Sequence, residues 1–264
     1  MTAPPRLTDP VALARNRARA KATFLHDAVA DEIEERLATV NRTFTAPAVV
    51  TPFPAVWAGR LRGATIVGEG AALALAPSAH DLVIHALCLH WADDPVGQII
   101  QCARALVPDG LLLAAFFGGR TLADLRAALA EAEAAVTGGL SPRVLPMADI
   151  RDAAGLLQRA GLALPVADSL PFRVRHADPF ALMRDLRAMG EGNALAGRLR
   201  RPTRRAVLFD AAARMTGTGG VESLFEVIVL TGWAPHESQQ QPLRPGSAQA
   251  LLADALPRRG KAGD

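Results

Sequence analysis

His80-Asp81-Leu82-Val83-Ile84, the amphipathic stretch from Pro95 to Leu106, the turn Val107-Pro108-Asp109-Gly110 and the apolar run Leu111-Leu112-Leu113-Ala114-Ala115-Phe116-Phe117 decide the fold. Two short apolar runs flank a segment of helical length, which reads as strand, crossover helix and strand. Strands that are apolar throughout are covered on both faces, and a helical crossover makes them parallel. The chain is therefore α/β, a mostly parallel sheet with helices on both faces.

Upstream, Ala48-Val49-Val50 is a strand candidate that must stop at Thr51-Pro52-Phe53-Pro54, because the two prolines forbid continued pairing. Ala55 to Leu61 makes a short helix before Gly63, and Ala64-Thr65-Ile66-Val67 forms a second short strand ending at Gly68-Glu69-Gly70. Asp9 to Val40 reads as helical, with Ala22, Leu25, Val29, Ile33, Leu37 and Val40 on one face. Downstream, Thr121 to Val136 reads as a helix opened by a capping box of Thr121 and Asp124 and closed at Gly138-Gly139. Asp149 to Ala160 and Pro179 to about Gly190 are further helices, and Phe172 to Val174 and Phe225 to Gly232 further strands. These elements divide the chain into a helical extension over 1–45, an α/β domain over 46–235 with a helical insertion around 179–216, and an irregular tail over 236–264 rich in Gln, Pro and Ser.

A chain of 264 residues accommodates one α/β core with appended helices. Half of its residues are hydrophobic, yet no apolar run approaches the roughly eighteen residues that span a bilayer. A soluble, cytoplasmic protein is expected. The N-terminus lacks a signal-peptide core, and the arginine-rich Arg15 to Lys21, which has the look of part of a transit peptide, reads better as an ordinary basic helix. Cys88 and Cys102, both in apolar surroundings, argue for a reducing compartment and against a disulfide scaffold. The net charge of +3 does not demand nucleic acid. Five arginines between Arg198 and Arg205 suit phosphates or an acidic protein surface, and equally a solvated helix end. With tyrosine absent, base stacking has little to work with.

A parallel sheet binds its ligand beyond the carboxyl ends of its strands. Thr51-Pro52-Phe53-Pro54 offers few backbone N–H groups there. Glu69, between two glycines, can accept from a ribose hydroxyl or an adenine amino group, or simply be solvated surface. His90 can serve as a base near neutral pH and Trp91 can stack on a ring or a sulfonium, or both can pack a loop against the sheet. No metal site is expected: His80, His85 and His90 alternate between strand faces and a loop, without a Cys or carboxylate at ligand spacing. No catalytic pair stands out.

The stretch from His80 through Leu89-His90-Trp91-Ala92-Asp93-Asp94, with Ala105 to Leu112, resembles the second half of class I (Rossmann-like) S-adenosylmethionine-dependent methyltransferases of the malonyl-carrier-protein type. The resemblance is nearest to bacterial relatives of the methyltransferase-fold complex I assembly factor associated with arginine hydroxylation. Phe24-Leu25-His26-Asp27, Asp185 to Glu191 and Gly232 to Gln240 look like that subgroup's own signatures. The resemblance implies a methyltransferase with S-adenosylmethionine as cofactor and Glu69, Gly70, His85, His90 and Trp91 around it. The alternative it implies is a non-catalytic or hydroxylase-like protein acting on a protein partner in respiratory complex I assembly.

One departure bears on the cofactor. Such families place a glycine-rich loop after the first strand, where the backbone approaches the methionine part of the cofactor. Thr51-Pro52-Phe53-Pro54 supplies no glycine and two residues without an N–H. Between Val50 and Ile66 there is room for one helix but not for helix, strand and helix, so a strand and its ribose-holding acid are missing. The first half of the fold is shortened, and weak or lost cofactor binding is expected.

Overall fold

The computed structural model describes residues 6–216 and 220–239. Two helices come first, α1 (Pro10–Ala18) and α2 (Phe24–Thr39). They are followed by β1 (Pro47–Val50), α3 (Pro54–Trp57), β2 (Thr65–Val67), β3 (His80–Ala86), α4 (Pro95–Ala105) and β4 (Leu106–Phe117). The second half comprises α5 (Ala123–Thr137), α6 (Ile150–Arg159), β5 (Ala163–His176), α7 (Pro179–Ala188), α8 (Arg205–Met215) and β6 (Val221–Trp233). The six strands form one sheet in the order β2-β1-β3-β4-β6-β5. Pairings from β2 to β4 are parallel, and β6 runs antiparallel to both neighbours.

Successive side chains of a strand point to opposite faces, and here both faces are apolar. On one, Val49, Leu82, Ile84, Leu111, Leu113 and Phe117 pack against α2 and α5; on the other, Val50, Val83, Leu112, Ala114 and Phe116 pack with α4 and α6. Double coverage accounts for the uninterrupted apolar runs of β3 and β4. β2 sits directly beside β1, with Ala48 opposite Thr65 and Val50 opposite Val67.

Three local expectations are corrected. The helical stretch Asp9 to Val40 is two helices: the chain breaks at residues 19–23, where Lys21 and Ala22 both donate to the Ala188 carbonyl (2.7 and 2.9 Å). The capping box at Thr121 does not form. The Thr121 hydroxyl donates to the Glu226 carbonyl at 3.0 Å, and α5 starts after Leu122, which takes a left-handed conformation without a side-chain cap. Tertiary pairing with β6 has captured the residue that local spacing assigned to the helix. The strand expected at Phe172 to Val174 is the far end of fourteen-residue β5. Because β5 is an edge strand, it tolerates Pro165 and Pro171, and its half-exposed, alternating surface hid it from a search for apolar runs. Most of the tail expected over 236–264, from residue 240 onward, lies outside the described residues.

Candidate functional site

β1, β2 and β3 end side by side, and three segments meet there: Thr51 to Pro54, Gly68 to Gly70, and the single 3-10 turn Leu89–Trp91. The first segment has no N–H to spare. The Thr51 N–H is bonded to the Val67 carbonyl at 3.0 Å, the Phe53 N–H to the Thr51 hydroxyl oxygen at 3.1 Å, and Pro52 and Pro54 have none. The loop carrying Glu69 is held from α4. Gln98 Nε2 donates to the Gly70 carbonyl at 2.9 Å, and the Gln101 side chain bonds the Ala71 carbonyl and the Leu73 N–H at 2.9 and 2.8 Å.

The crevice is organised around a guanidinium from outside the sheet. Arg17, at the end of α1, donates through Nε to Glu69 Oε1 at 3.1 Å and through Nη1 to Glu191 Oε1 at 2.5 Å. Its guanidinium carbon stands 5.5 Å from the centre of the Phe53 ring. The Glu191 carboxylate also accepts from Trp91 Nε1 at 2.7 Å and contacts His90 Nε2 at 3.3 Å. The side chains of Arg17 and Glu191 are only 7 % and 6 % exposed. Burial alone would raise the Glu191 carboxyl, but Arg17, His90 and the Trp91 N–H outweigh it and hold that group well below the usual carboxylate range. His26, buried edge-on against Phe53 at 4.6 Å, is pushed down to about 3 by desolvation, which outweighs the pull of Glu191.

Glu69, His90 and Trp91 are thus brought together, with Gly70 beside them in the loop. His85 lies one layer deeper: fully buried, it donates through Nε2 to Gln98 Oε1 at 2.7 Å and reaches the crevice only through Gln98 and Gly70. Burial is the main cause of its displacement to about 4. The sequence reading missed Arg17, Phe53 and Glu191 as a group. Arg17 is one of four basic residues between Arg15 and Lys21, and nothing in that spacing distinguishes the one that turns inward.

Beyond Trp91 and Glu191, which form a shared wall, opens an apolar cavity of about 230 Å³. Phe117, Leu125, Met183, Leu186 and Phe225 line it, with Arg187 and Asn193 near its polar end. Arg143, which also lines it, holds Glu133 by two bonds (2.9 and 2.6 Å) and the Thr203 hydroxyl by a third (2.8 Å).

A doubly covered, mostly parallel sheet with an acidic loop after its edge strand has the arrangement of a class I methyltransferase fold. The chain belongs to a methyltransferase family, shown by a methyltransferase relative covered to two thirds of its length, and a methyltransferase domain model matches residues 13–114. A malonyl-[acyl-carrier protein] O-methyltransferase from Halorhodospira halophila is 32% identical over 205 residues, covering 75% of this chain and 67% of the relative. The mitochondrial arginine-hydroxylases NDUFAF5 are also similar. That of Dictyostelium discoideum is 40% identical over 180 residues (66% of this chain, 41% of the relative), and the human protein 35% over 178 residues (66% and 52%). The chain spans about half the length of these NDUFAF5 relatives. Among solved structures, a Bacillus halodurans protein described as a methyltransferase aligns with a TM-score of 0.50 at 12% identity, over 78% of this chain and 98% of that one, a likeness of fold alone. The comparison overturns the cytoplasmic expectation, because the NDUFAF5 relatives are named mitochondrial. No helix among the described residues is long and apolar enough to cross a membrane.

Proposed function

We propose that this chain is an S-adenosylmethionine-dependent methyltransferase, with the cofactor at the ends of β1, β2 and β3 and the acceptor entering through the apolar cavity. The observation that carries this reading is the position of Glu69. It follows β2 between two glycines, no atom stands within 4 Å of where a Gly68 side chain would begin, and its carboxylate faces the crevice beside the β1 end. That is where an acid can accept from adenosine. When bound, the cofactor supplies a methyl group on a sulfonium, a cation that suits a crevice walled by Glu69, Glu191 and the Trp91 ring. The chain's own contribution is alignment, the term that governs such a transfer. Trp91 and Glu191 divide cofactor space from acceptor space, Gln98 holds the Gly70 loop, and His85 orients Gln98 from beneath. His90 Nε2 lies 3.3 Å from Glu191 at the dividing wall.

The fit is uneven. The adenosine end has its acid, whereas the amino-acid end finds no free N–H between Thr51 and Pro54, so binding is expected to be weak. Similarity to arginine-hydroxylases supports a protein as the acceptor, with a respiratory complex I subunit under assembly as the partner. The exposed Arg200, Arg201, Arg204 and Arg205 beside half-exposed Thr203 offer that partner a basic surface, while Arg198 is drawn into the fold by Asp9 at 2.9 Å.

Equilibrium dialysis against isotope-labelled S-adenosylmethionine tests the reading. Saturable binding with a dissociation constant of ~1 mM, displaced by S-adenosylhomocysteine and lost in Glu69→Ala, is expected; at that value, ligand near ~1 mM fills half the sites. Uptake that never saturates, or that Glu69→Ala leaves unchanged, would overturn it.

A further inference from the structure

The turn from β4 into α5 also follows the carboxyl end of a parallel strand, and it holds none of the groups around Glu69. It runs through Gly118, Gly119 and Arg120 to Leu122, and α5 begins at Ala123 without a side-chain cap. The residue that would supply one is engaged with β6: the Thr121 hydroxyl donates to the Glu226 carbonyl and accepts from the Glu226 N–H, both at 3.0 Å. The first turn of α5 therefore keeps two donors. The N–H groups of Asp124 and Leu125 have no partner among the described residues, and they stand at the positive end of a fifteen-residue helix.

Between this helix end, β5 and the start of β6 lies a hollow of about 300 Å³, lined by Arg120, Leu122, Leu125, Arg173, Glu222 and Ser223. Ser223 is an independent sign of a ligand. It shares a face of β6 with Phe225, Val227 and Val229, is 5% exposed, and its hydroxyl oxygen is buried with no hydrogen-bond partner among the described residues. An unpaired hydroxyl on an apolar strand face is unfavourable until something completes its bond. The charges around the hollow leave one cation free. Glu222 is held by Arg173 Nη1 at 2.8 Å, with Arg175 Nε 3.7 Å from its other oxygen. Arg120 is exposed, and its guanidinium has no ion pair among the described residues. Of the two carboxylates lining the hollow, Asp124 alone is likewise unpaired among them.

We infer that this hollow is a binding site for a phosphoryl group, free as inorganic phosphate or carried on a monoester, held by the Asp124 and Leu125 N–H groups, the Ser223 hydroxyl and the Arg120 guanidinium. Two backbone donors at a helix N-terminus, a hydroxyl and a planar guanidinium suit a tetrahedral oxyanion, whose oxygens accept several bonds at once. The site goes beyond methyl transfer and does not depend on it. Leu122 and Leu125 also line the apolar cavity, so the phosphoryl group stands one layer of side chains from the space assigned to the acceptor.

The test is amide NMR on the full chain, titrated with sodium phosphate and separately with methyl phosphate, the ionic strength being held constant with chloride. Saturable downfield shifts of the Asp124 and Leu125 amides are expected. Ser223→Ala and Arg120→Ala should each weaken binding by about tenfold, the loss that follows from one hydrogen bond to a charged group. Asp124→Asn should tighten it by removing a like charge. Ser223→Ala is expected to keep its urea midpoint, because its hydroxyl has no partner to lose, so its lower affinity does not reflect a weakened fold. If methyl phosphate saturates at least as tightly as phosphate, the monoester is the ligand; if only phosphate saturates, the free ion is. Shifts that never saturate, or that appear only at residues 198–205, overturn the inference. So does saturable binding that Ser223→Ala and Arg120→Ala both leave unchanged.

Discussion

On one side of β4 the sheet is made of parallel strands of three, four and seven residues; on the other it is an antiparallel arm of thirteen and fourteen. The arm is zipped over most of its length, with Val166 to His176 of β5 registered against Val221 to Thr231 of β6. Phe225, Val227 and Val229 of β6 are at most 1% exposed. The parallel side ends early, and its strand ends hold the buried polar groups Thr51, His85, Arg17 and Glu191. Short strands leave room at their ends for a site, and that room is filled with groups whose burial must be compensated pair by pair. The arm adds one long buried strand to the core, and the buried polar groups gather at the ends of the parallel half.

The largest expected difference between the halves appears on deleting one side chain from each. Phe225→Ala removes a fully buried ring from the arm and is expected to cost about 3–5 kcal/mol. Arg17→Ala removes a buried charge whose loss would cost as much if Glu191 stayed dry. Because α1 buries only Ala12 and is held mainly by polar contacts, a cost below about 2 kcal/mol is expected, within the common range for single substitutions. Urea midpoints at constant m value check both. Equal losses would place α1 within the cooperative core and break the contrast.

Acid acts on the parallel half through its buried histidines. His26 and His85 are held at about 3 and about 4 by burial, against 6.5 for the free side chain. Both are neutral in the folded protein at neutral pH, and the unfolded chain binds their protons first. Stability is therefore fully present above about pH 6.5 and falls as pH drops from there towards each folded value, by about 1.4 kcal/mol per pH unit for each histidine. Chemical denaturation between pH 7 and pH 5 reads that slope, and His26→Phe, which keeps a ring against Phe53 and takes up no proton, should remove about half of it. An unchanged slope would mean that His26 is not held neutral by burial.

The same contrast explains what was legible in the sequence. β3, β4 and the central part of β6 were visible because burial on both faces leaves an uninterrupted apolar run, and the prolines after β1 marked the strand end that bounds the crevice. Glu69, His90 and Trp91 were visible because each directly follows a strand or sits in the turn beyond one, where parallel sheets bind ligands. β5 was only partly seen, since an edge strand with alternating exposure resembles a polar loop. Arg17 and Glu191 were not assembled into a site, because their meeting depends on the path of the chain: 174 residues separate them, and neither follows a strand. The capping box at Thr121 failed for the converse reason, a local signal overridden by a partner 105 residues away.

A smaller effect sharpens the account of α1. Gly190, beyond α7, has φ of +79°, and a side chain there would begin 3.2 Å from Ala20 Cβ and 3.3 Å from the Asn16 carbonyl oxygen. Its freedom lets the α7 terminus and α1 approach closely enough for Glu191 to meet Arg17. Gly190→Ala is expected to cost about 1–2 kcal/mol through the left-handed backbone alone, and the added crowding against Ala20 and Asn16 is relieved if α1 moves away. Amide exchange should accordingly accelerate in residues 10–18 and leave β5 and β6 unchanged. Acceleration spread evenly over the sheet would show that the glycine supports the whole fold and not the docking of one helix.

The smallest effect is the response to cofactor. A site with a dissociation constant of ~1 mM, half-filled at ~1 mM ligand, stabilises the fold by only about 0.4 kcal/mol. For a chain of this size each kcal/mol raises the melting temperature by roughly 2–4 °C, so wild type should rise by less than about 2 °C with S-adenosylmethionine. Two causes are combined in that small number, the missing N–H donors between Thr51 and Pro54 and the occupation of Glu69 and Glu191 by Arg17, and they can be separated. If the guanidinium is the main obstacle, Arg17→Ala frees both carboxylates, the rise grows towards about 5 °C, and Glu69→Ala in the same background removes it. If the missing donors dominate, Arg17→Ala changes nothing, because no substitution at position 17 restores an N–H at Pro52 or Pro54. A large saturable rise in unaltered wild type would contradict both causes, and would mean that α1 yields to the cofactor far more readily than its paired carboxylates imply.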